Sequence, residues 1–182
     1  MKIVAIVGSL RQDSFNKQLA YAARTALGDT ATLEILTLND IPLLNQDIEH
    51  PAPAAVAKLR EAVTDADGVW FFTPEYNHFF PGVLKNTIDW LSRPQDGGKG
   101  QVLAGKCAAI SGITPGMSGT ALSQDHLVTL LSFLNMKIMN LPRLTIPTAM
   151  SQVKDGKLEL IESKKFLAKQ AQAFVEFIAK NK

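Results

Sequence analysis

Apolar residues in this chain follow two alternating rhythms. Short runs rich in β-branched and aromatic residues, KIVAIV (2–7), TLEILT (32–37), GVWFFT (68–73), KCAAIS (106–111) and MKIMNL (136–141), predict five strands. Most are apolar enough to be buried on two faces, whereas 32–37 alternates and is expected at a sheet edge. Between them the spacing becomes helical. Leu19, Ala22, Ala23 and Ala26 recur at i, i+3, i+4 and i+7, as do Leu127, Leu130, Leu131 and Leu134. Val56, Leu59 and Val63 mark another stripe, and Leu167, Ala171, Phe174 and Ile178 line one face of a last helix whose lysines lie elsewhere.

Strands alternating with helices predict an α/β fold, a parallel sheet covered on both faces, with right-handed crossovers. The stretch RPQDGGKG (93–100) reads as a surface loop. No Pro-, Gly- or Ser-rich linker and no fixed repeat divides the chain, so residues 1–182 are expected to form one domain. Five parallel strands in a three-layer sandwich admit two orders, the Rossmann order and the flavodoxin-like 2-1-3-4-5. Periodicity does not choose between them.

Composition narrows the classes of function. A chain of 182 residues can bury a sizeable core without a disulfide or a structural metal. The net charge of +2 is spread without a long basic run, which gives no electrostatic reason to expect nucleic acid or an anionic membrane. The opening MKIVAIVG is too short to span a bilayer and lacks a cleavage pattern, so it reads as a first strand. The single cysteine, Cys107, lies in an apolar strand and reads as a small buried hydrophobe in a reducing compartment, the cytoplasm. His50 and His126 have no cysteine or carboxylate at ligand spacing, so no metal site is expected; His78 adjoins a loop that could meet substrate. Trp70 and Trp90 read as packing, Trp90 also as a candidate subunit contact. Small-molecule chemistry is the default.

The candidate chemistry starts with GSLRQDSFN (8–16), set between the first strand and the first helix. That is where nucleotide-binding folds keep a phosphate loop, yet G-x-x-x-x-G-K-[ST] fails for want of a second glycine and a lysine. G-x-G-x-x-G fails at Leu10 and Asp13. What remains is Ser9, Arg11, Ser14 and Asn16 before a helix whose first N–H groups need partners. Hydroxyls, a guanidinium and a helix N-terminus suit a terminal phosphate monoester, which side chains can reach, better than a pyrophosphate bridge. The same residues would also serve as an ordinary helix cap beside a solvated arginine.

Two further strand ends share that rim if the order reverses between strands one and three. The third strand runs into TPEYNHFFPG, where Pro74 stops the strand and Pro81 with Gly82 starts a helix. Pro74, Glu75, Tyr76 and Asn77 could border a flat heteroaromatic ring such as a flavin, or Glu75 and Tyr76 could be plain surface residues. The fourth strand ends in SGITPGMSG. Gly112, Thr114 and Gly116 there either let the backbone approach the pyrimidine edge of such a ring or only permit tight turning.

With GSLRQDSFN, TPEYN followed by PGVLKNTIDWLSRP, and the glycine-rich turn after AAIS, the chain resembles the NADPH-dependent FMN reductase family, near its quinone and chromate reductase branch, from Met1 to about Lys180. The resemblance implies a flavodoxin-like fold in order 2-1-3-4-5, a homodimer or homotetramer, bound FMN, and NADPH or NADH as co-substrate. It implies electron transfer to quinones, azo dyes, free flavin or metal oxyanions. By position it places Ser9, Arg11, Ser14, Phe15 and Asn16 around the phosphate, and Pro74, Glu75, Tyr76 and Asn77 along the isoalloxazine. The chain departs from the family pattern at Thr114 before Pro115-Gly116 and at Gly119-Thr120. Since the cofactor carries the redox chemistry, no catalytic nucleophile or general base is expected. The rival readings are a flavodoxin-type electron carrier, disfavoured by a pI of about 8.7, and a non-catalytic flavin-binding module. A flavin-free nicotinamide dehydrogenase is disfavoured by the missing G-x-G-x-x-G.

Overall fold

A computed structural model describes all of residues 1–182. The β-rich runs form β1 (Lys2–Val7), β2 (Thr32–Leu36), β3 (Gly68–Phe72) and β4 (Cys107–Ile113), each followed by a helix that returns the chain to the same end of the sheet. These helices are α1 (Phe15–Leu27), α2 (Ala54–Asp65), α3 (Gly82–Ser92) and α4 (Ala121–Phe133); α5 (Lys164–Asn181) closes the chain. The strands pair in parallel in the order β2-β1-β3-β4-β5, with β5 at Lys137–Ile138. Ala5 stands beside Ile35 on one side and Trp70 on the other, and Trp70 beside Ala109. The reversal of strand order between β1 and β3 opens the crevice in which such folds bind ligands.

Strand alternation sends successive side chains to two cores. Ile3, Ala5, Val7, Trp70, Phe72, Ala109 and Ile113 pack against α1 and α5. Val4, Ile6, Val69, Phe71, Ala108 and Ile110 meet α2, α3 and α4. Trp70 stacks on Phe72 with ring centroids 5.2 Å apart and meets Phe174 of α5 edge-on at 5.6 Å. Its indole N–H donates to Ser111 Oγ at 2.8 Å, Ser111 donates to Gln170 Oε1 at 2.6 Å, and Gln170 Nε2 donates to the Ile110 and Pro142 carbonyls. Every polar atom of this buried chain has a partner, which keeps it from costing stability.

Four expectations need revision. The fifth strand is not continuous over 136–141: after Ile138 it breaks, and β6 (Leu144–Ile146) resumes the pairing with β4. Pro142 has no N–H to give a ladder, so the interruption falls there. The buried stripe of α1 is Leu19, Ala20, Ala23 and Leu27, with Ala26 exposed. Trp90 is fully buried, its N–H donating to the Pro42 carbonyl at 2.8 Å, so it offers no surface to a second subunit. His50 does find a carboxylate, Asp96, at 2.6 Å; Asp96 comes from the 93–100 loop, a pairing that local spacing could not reveal. Burial pushes the Cys107 thiol up from its ordinary value, as suits a packing residue.

Candidate functional site

The site begins where β1 stops. Gly8 N–H still bonds the Phe72 carbonyl at 2.8 Å, so the chain leaves the sheet between β1 and β3. A side chain at Gly8 would crowd Leu84, whose Cδ2 lies 3.2 Å from the Cβ position. Ser14, in extended conformation at φ −62 and ψ 129, caps α1 by accepting the Lys17 N–H. The Phe15 and Asn16 N–H groups, first in the helix, find no acceptor within the chain. Arg11 donates to the Asp13 carbonyl at 2.7 Å and lies 5.1 Å from the Phe15 ring, and no carboxylate pairs with it. The loop thus presents unspent N–H groups, two hydroxyls and an unneutralised guanidinium at the positive end of a helix, a set of donors suited to an anion.

β3 hands over to a tight hairpin. Asn77 and His78 both adopt left-handed backbone, φ 52 and φ 63, between Tyr76 and Phe79, which exchange N–H···O bonds of 2.9 and 3.0 Å. Two left-handed residues between a paired flank are the geometry of a primed hairpin turn, which asparagine tolerates well. The turn is held from below. Glu75 Oε2 accepts the Ser123 N–H in the first turn of α4 at 3.1 Å, and the hydroxyls of Thr73 and Ser123 both reach the Pro74 carbonyl. The carboxylate therefore serves the positive end of α4 rather than the open rim. His78 Nδ1 lies 3.6 Å from Glu75 Oε1, and Phe79 packs on His126 with centroids 4.5 Å apart. Tyr76 is left about half exposed, at 55 %.

β4 supplies the third wall. Gly112 has no room for a side chain, because a Cβ there would run into Thr120 and the Thr73 carbonyl. The Thr114–Gly119 loop is fastened outward: Thr114 N–H donates to the Ile146 carbonyl at 3.1 Å, and the Ala149 and Thr148 N–H groups donate to the carbonyls of Thr114 and Gly116. The N–H groups of Asn77, Gly116 and Met117 have no acceptor in the chain.

These three loops enclose a cleft of about 230 Å3. It brings Ser9, Arg11, Ser14, Phe15 and Asn16 against Pro74, Glu75 and Tyr76, with Thr114 beside them. Asn77, Gly112 and Gly116 are not on its lining: Asn77 sits at the tip of the hairpin, Gly112 behind the wall, and Gly116 on the outer turn. Two lining residues escaped the sequence reading, Ile113 and Pro115. Ile113 looks like ordinary strand core in the sequence, and only the place where β3 ends brings it to the cleft wall.

Residues 1–151 match the family model described as NADPH-dependent FMN reductase. The chain is 38% identical over 169 residues to a 2-hydroxy-1,4-benzoquinone reductase of a Burkholderia species, covering 92% of this chain and 90% of that protein. It is 38% identical over 187 residues to a quinone reductase of Escherichia coli strain K12, covering 100% of this chain and 97% of the relative. Among solved structures, a flavoenzyme NAD(P)H:(acceptor) oxidoreductase from Paracoccus denitrificans superposes with a TM-score of 0.87 at 34% identity, over 99% of this chain and 98% of that one.

Proposed function

The chain belongs to the NADPH-dependent FMN reductase family, and on that premise we propose that it carries electrons from NADPH or NADH, by way of FMN held in the cleft, to quinones. Its activity is that of an NAD(P)H-dependent flavin and quinone reductase. Azo dyes, free flavin and metal oxyanions are further acceptors that an open rim can admit.

The residues present fit FMN. The single observation that carries the reading is the cluster of unspent donors at the start of α1: the Phe15 and Asn16 N–H groups, the Ser9 and Ser14 hydroxyls, and an Arg11 guanidinium with no carboxylate partner. Together they match a phosphate dianion, whose oxygens accept several hydrogen bonds and whose charge the helix end favours. Tyr76 lines the same cleft and offers a flat face beside it. The cleft volume falls below the roughly 300–1,000 Å3 of sites that enclose a whole drug-sized ligand. It suits the phosphate, its sugar-alcohol stem and one side of the ring, leaving the other face open to reactants.

FMN held by these residues would supply the redox chemistry, hydride uptake from a nicotinamide and electron release to an acceptor. The chain's part is to anchor the phosphate, to orient the ring with the Tyr76 hairpin, and to keep one face accessible. Glu75 holds that hairpin against α4 from below. A homodimer or homotetramer belongs to this reading, supported by the exposed Tyr76, Phe79 and Leu122 beside the rim. A cytoplasmic setting fits the lone buried thiol; no helix is long and apolar enough to cross a membrane.

One preparation tests the reading. Purified protein loaded with FMN should show a flavin spectrum that bleaches on anaerobic addition of NADPH and recovers, over many turnovers, on addition of a quinone. A protein that takes up no FMN ends the reading. Bleaching without repeated turnover would make the chain an electron carrier instead.

A further inference from the structure

Asn16 is the one polar side chain of the phosphate loop that the structure ties directly to another wall of the cleft. It is buried at 3 % exposure, its Nδ2 donates to the Ile113 carbonyl at 2.9 Å, and its Oδ1 accepts the Ile113 N–H at 3.1 Å, across 97 residues of sequence. Those two partners fix which amide atom is oxygen.

The need for this bond follows from strand parity. In a parallel strand the N–H and C=O of one residue face the same neighbour, and successive residues face opposite neighbours. Ser111 faces β3, since Thr73 N–H donates to its carbonyl, and Thr114 faces the other way, toward Ile146 and Ala149. Ile113 therefore faces β3 as well, but β3 has ended at Phe72 and Pro74 turns its chain away. The Asn16 amide stands where the next residue of β3 would be and completes the ladder with both of its polar groups. An unpaired N–H and C=O at this buried point would be costly.

We propose that Asn16 is a positioning residue: it holds the phosphate-binding start of α1 in register with the end of β4, so that the two halves of one flavin phosphate meet both halves of the site at once. This deepens the FMN reading and rests on it. The side-chain amide is spent on Ile113, so of the residues that the resemblance sets around the phosphate, Asn16 has only its backbone N–H left to offer. A ligand that spans two subsites gains affinity from their fixed spacing, while ligands that fill only one do not.

That difference is measurable. The full chain, stripped of flavin, is titrated with FMN and with riboflavin by flavin fluorescence, and inorganic phosphate is titrated as a competitor of FMN. In Asn16→Ala the Kd for FMN should rise about tenfold or more, while riboflavin and inorganic phosphate each change by less than about twofold. Asn16→Ser, which keeps a small polar group and is the milder change to the core, should show the same pattern at smaller size and carries the test if the alanine variant fails to fold. Phosphate weakened in step with FMN would make the Asn16 side chain a phosphate ligand and overturn the proposal. So would all three ligands weakening alike, which would mark general loss of structure, or an unchanged FMN affinity. A wild-type chain that binds no FMN would remove the cofactor reading itself, and this inference with it.

Discussion

Replacing Arg11 with alanine should separate cofactor binding from folding. In the structure the guanidinium touches only the Asp13 carbonyl, at 2.7 Å, and the Phe15 ring, at 5.1 Å, on an exposed loop with no carboxylate partner. Losing those contacts should cost folding less than about 1 kcal/mol, the scale of surface substitutions. Against a phosphate, the same group makes charge-assisted hydrogen bonds worth about 1.5–3 kcal/mol. That corresponds to a rise of roughly 10- to 150-fold in the Kd for FMN. The assay is fluorescence titration of FMN and riboflavin against wild type and Arg11→Ala, beside urea unfolding of both. Riboflavin, which lacks the phosphate, should bind the two proteins alike. Equal FMN affinity in the variant, or equal weakening of FMN and riboflavin, would take Arg11 out of the phosphate site.

Gly112→Ala should destabilise the fold, because its methyl would press on Thr120 and the Thr73 carbonyl; about 1–3 kcal/mol of overpacking strain would lower the melting temperature by several degrees, and an unchanged melt would refute the close approach. Gln170→Leu strands the Ser111 hydroxyl and two carbonyls and should cost about 1–3 kcal/mol in urea unfolding while leaving FMN affinity alone. The loops at 45–52 and 93–100 should loosen in acid. The Arg93 guanidinium holds the Glu49 carboxyl below its usual value, and the His50 ring does the same for Asp96. Depressed folded values mean that this stabilisation is present above the ordinary carboxylate range, about 4, and fades as pH falls through the folded values. The stability gap between wild type and Glu49→Gln should therefore shrink from pH 7 toward pH 3, and a gap independent of pH would contradict the pairing.

Most of the scaffold could be read from the chain because apolar spacing reports which faces are buried. Leu167, Ala171, Phe174 and Ile178 fall on one side of α5, and the alternating 32–37 run is indeed the edge strand. The fifth strand departs from its expected span because an apolar run says nothing of where Pro142 denies the ladder a donor. At the site, the residue types of the first loop pointed to an anion, since donors before a helix carry their chemistry in their identity. What stayed hidden were the partners. Glu75 reads as a carboxylate free to meet a ring, and only the packed α4 shows it capping Ser123. Asn16 reads as one more donor for the anion, and only the early end of β3 shows why its amide is needed at Ile113.

The account stands most directly on where the phosphate lies. A crystal structure of the FMN-loaded protein should show that phosphate within hydrogen-bond distance of the Phe15 and Asn16 N–H groups and of the Ser9 and Ser14 hydroxyls, with the ring beside Tyr76. Flavin found elsewhere on the chain, or a cleft filled by its own side chains under saturating FMN, would contradict it.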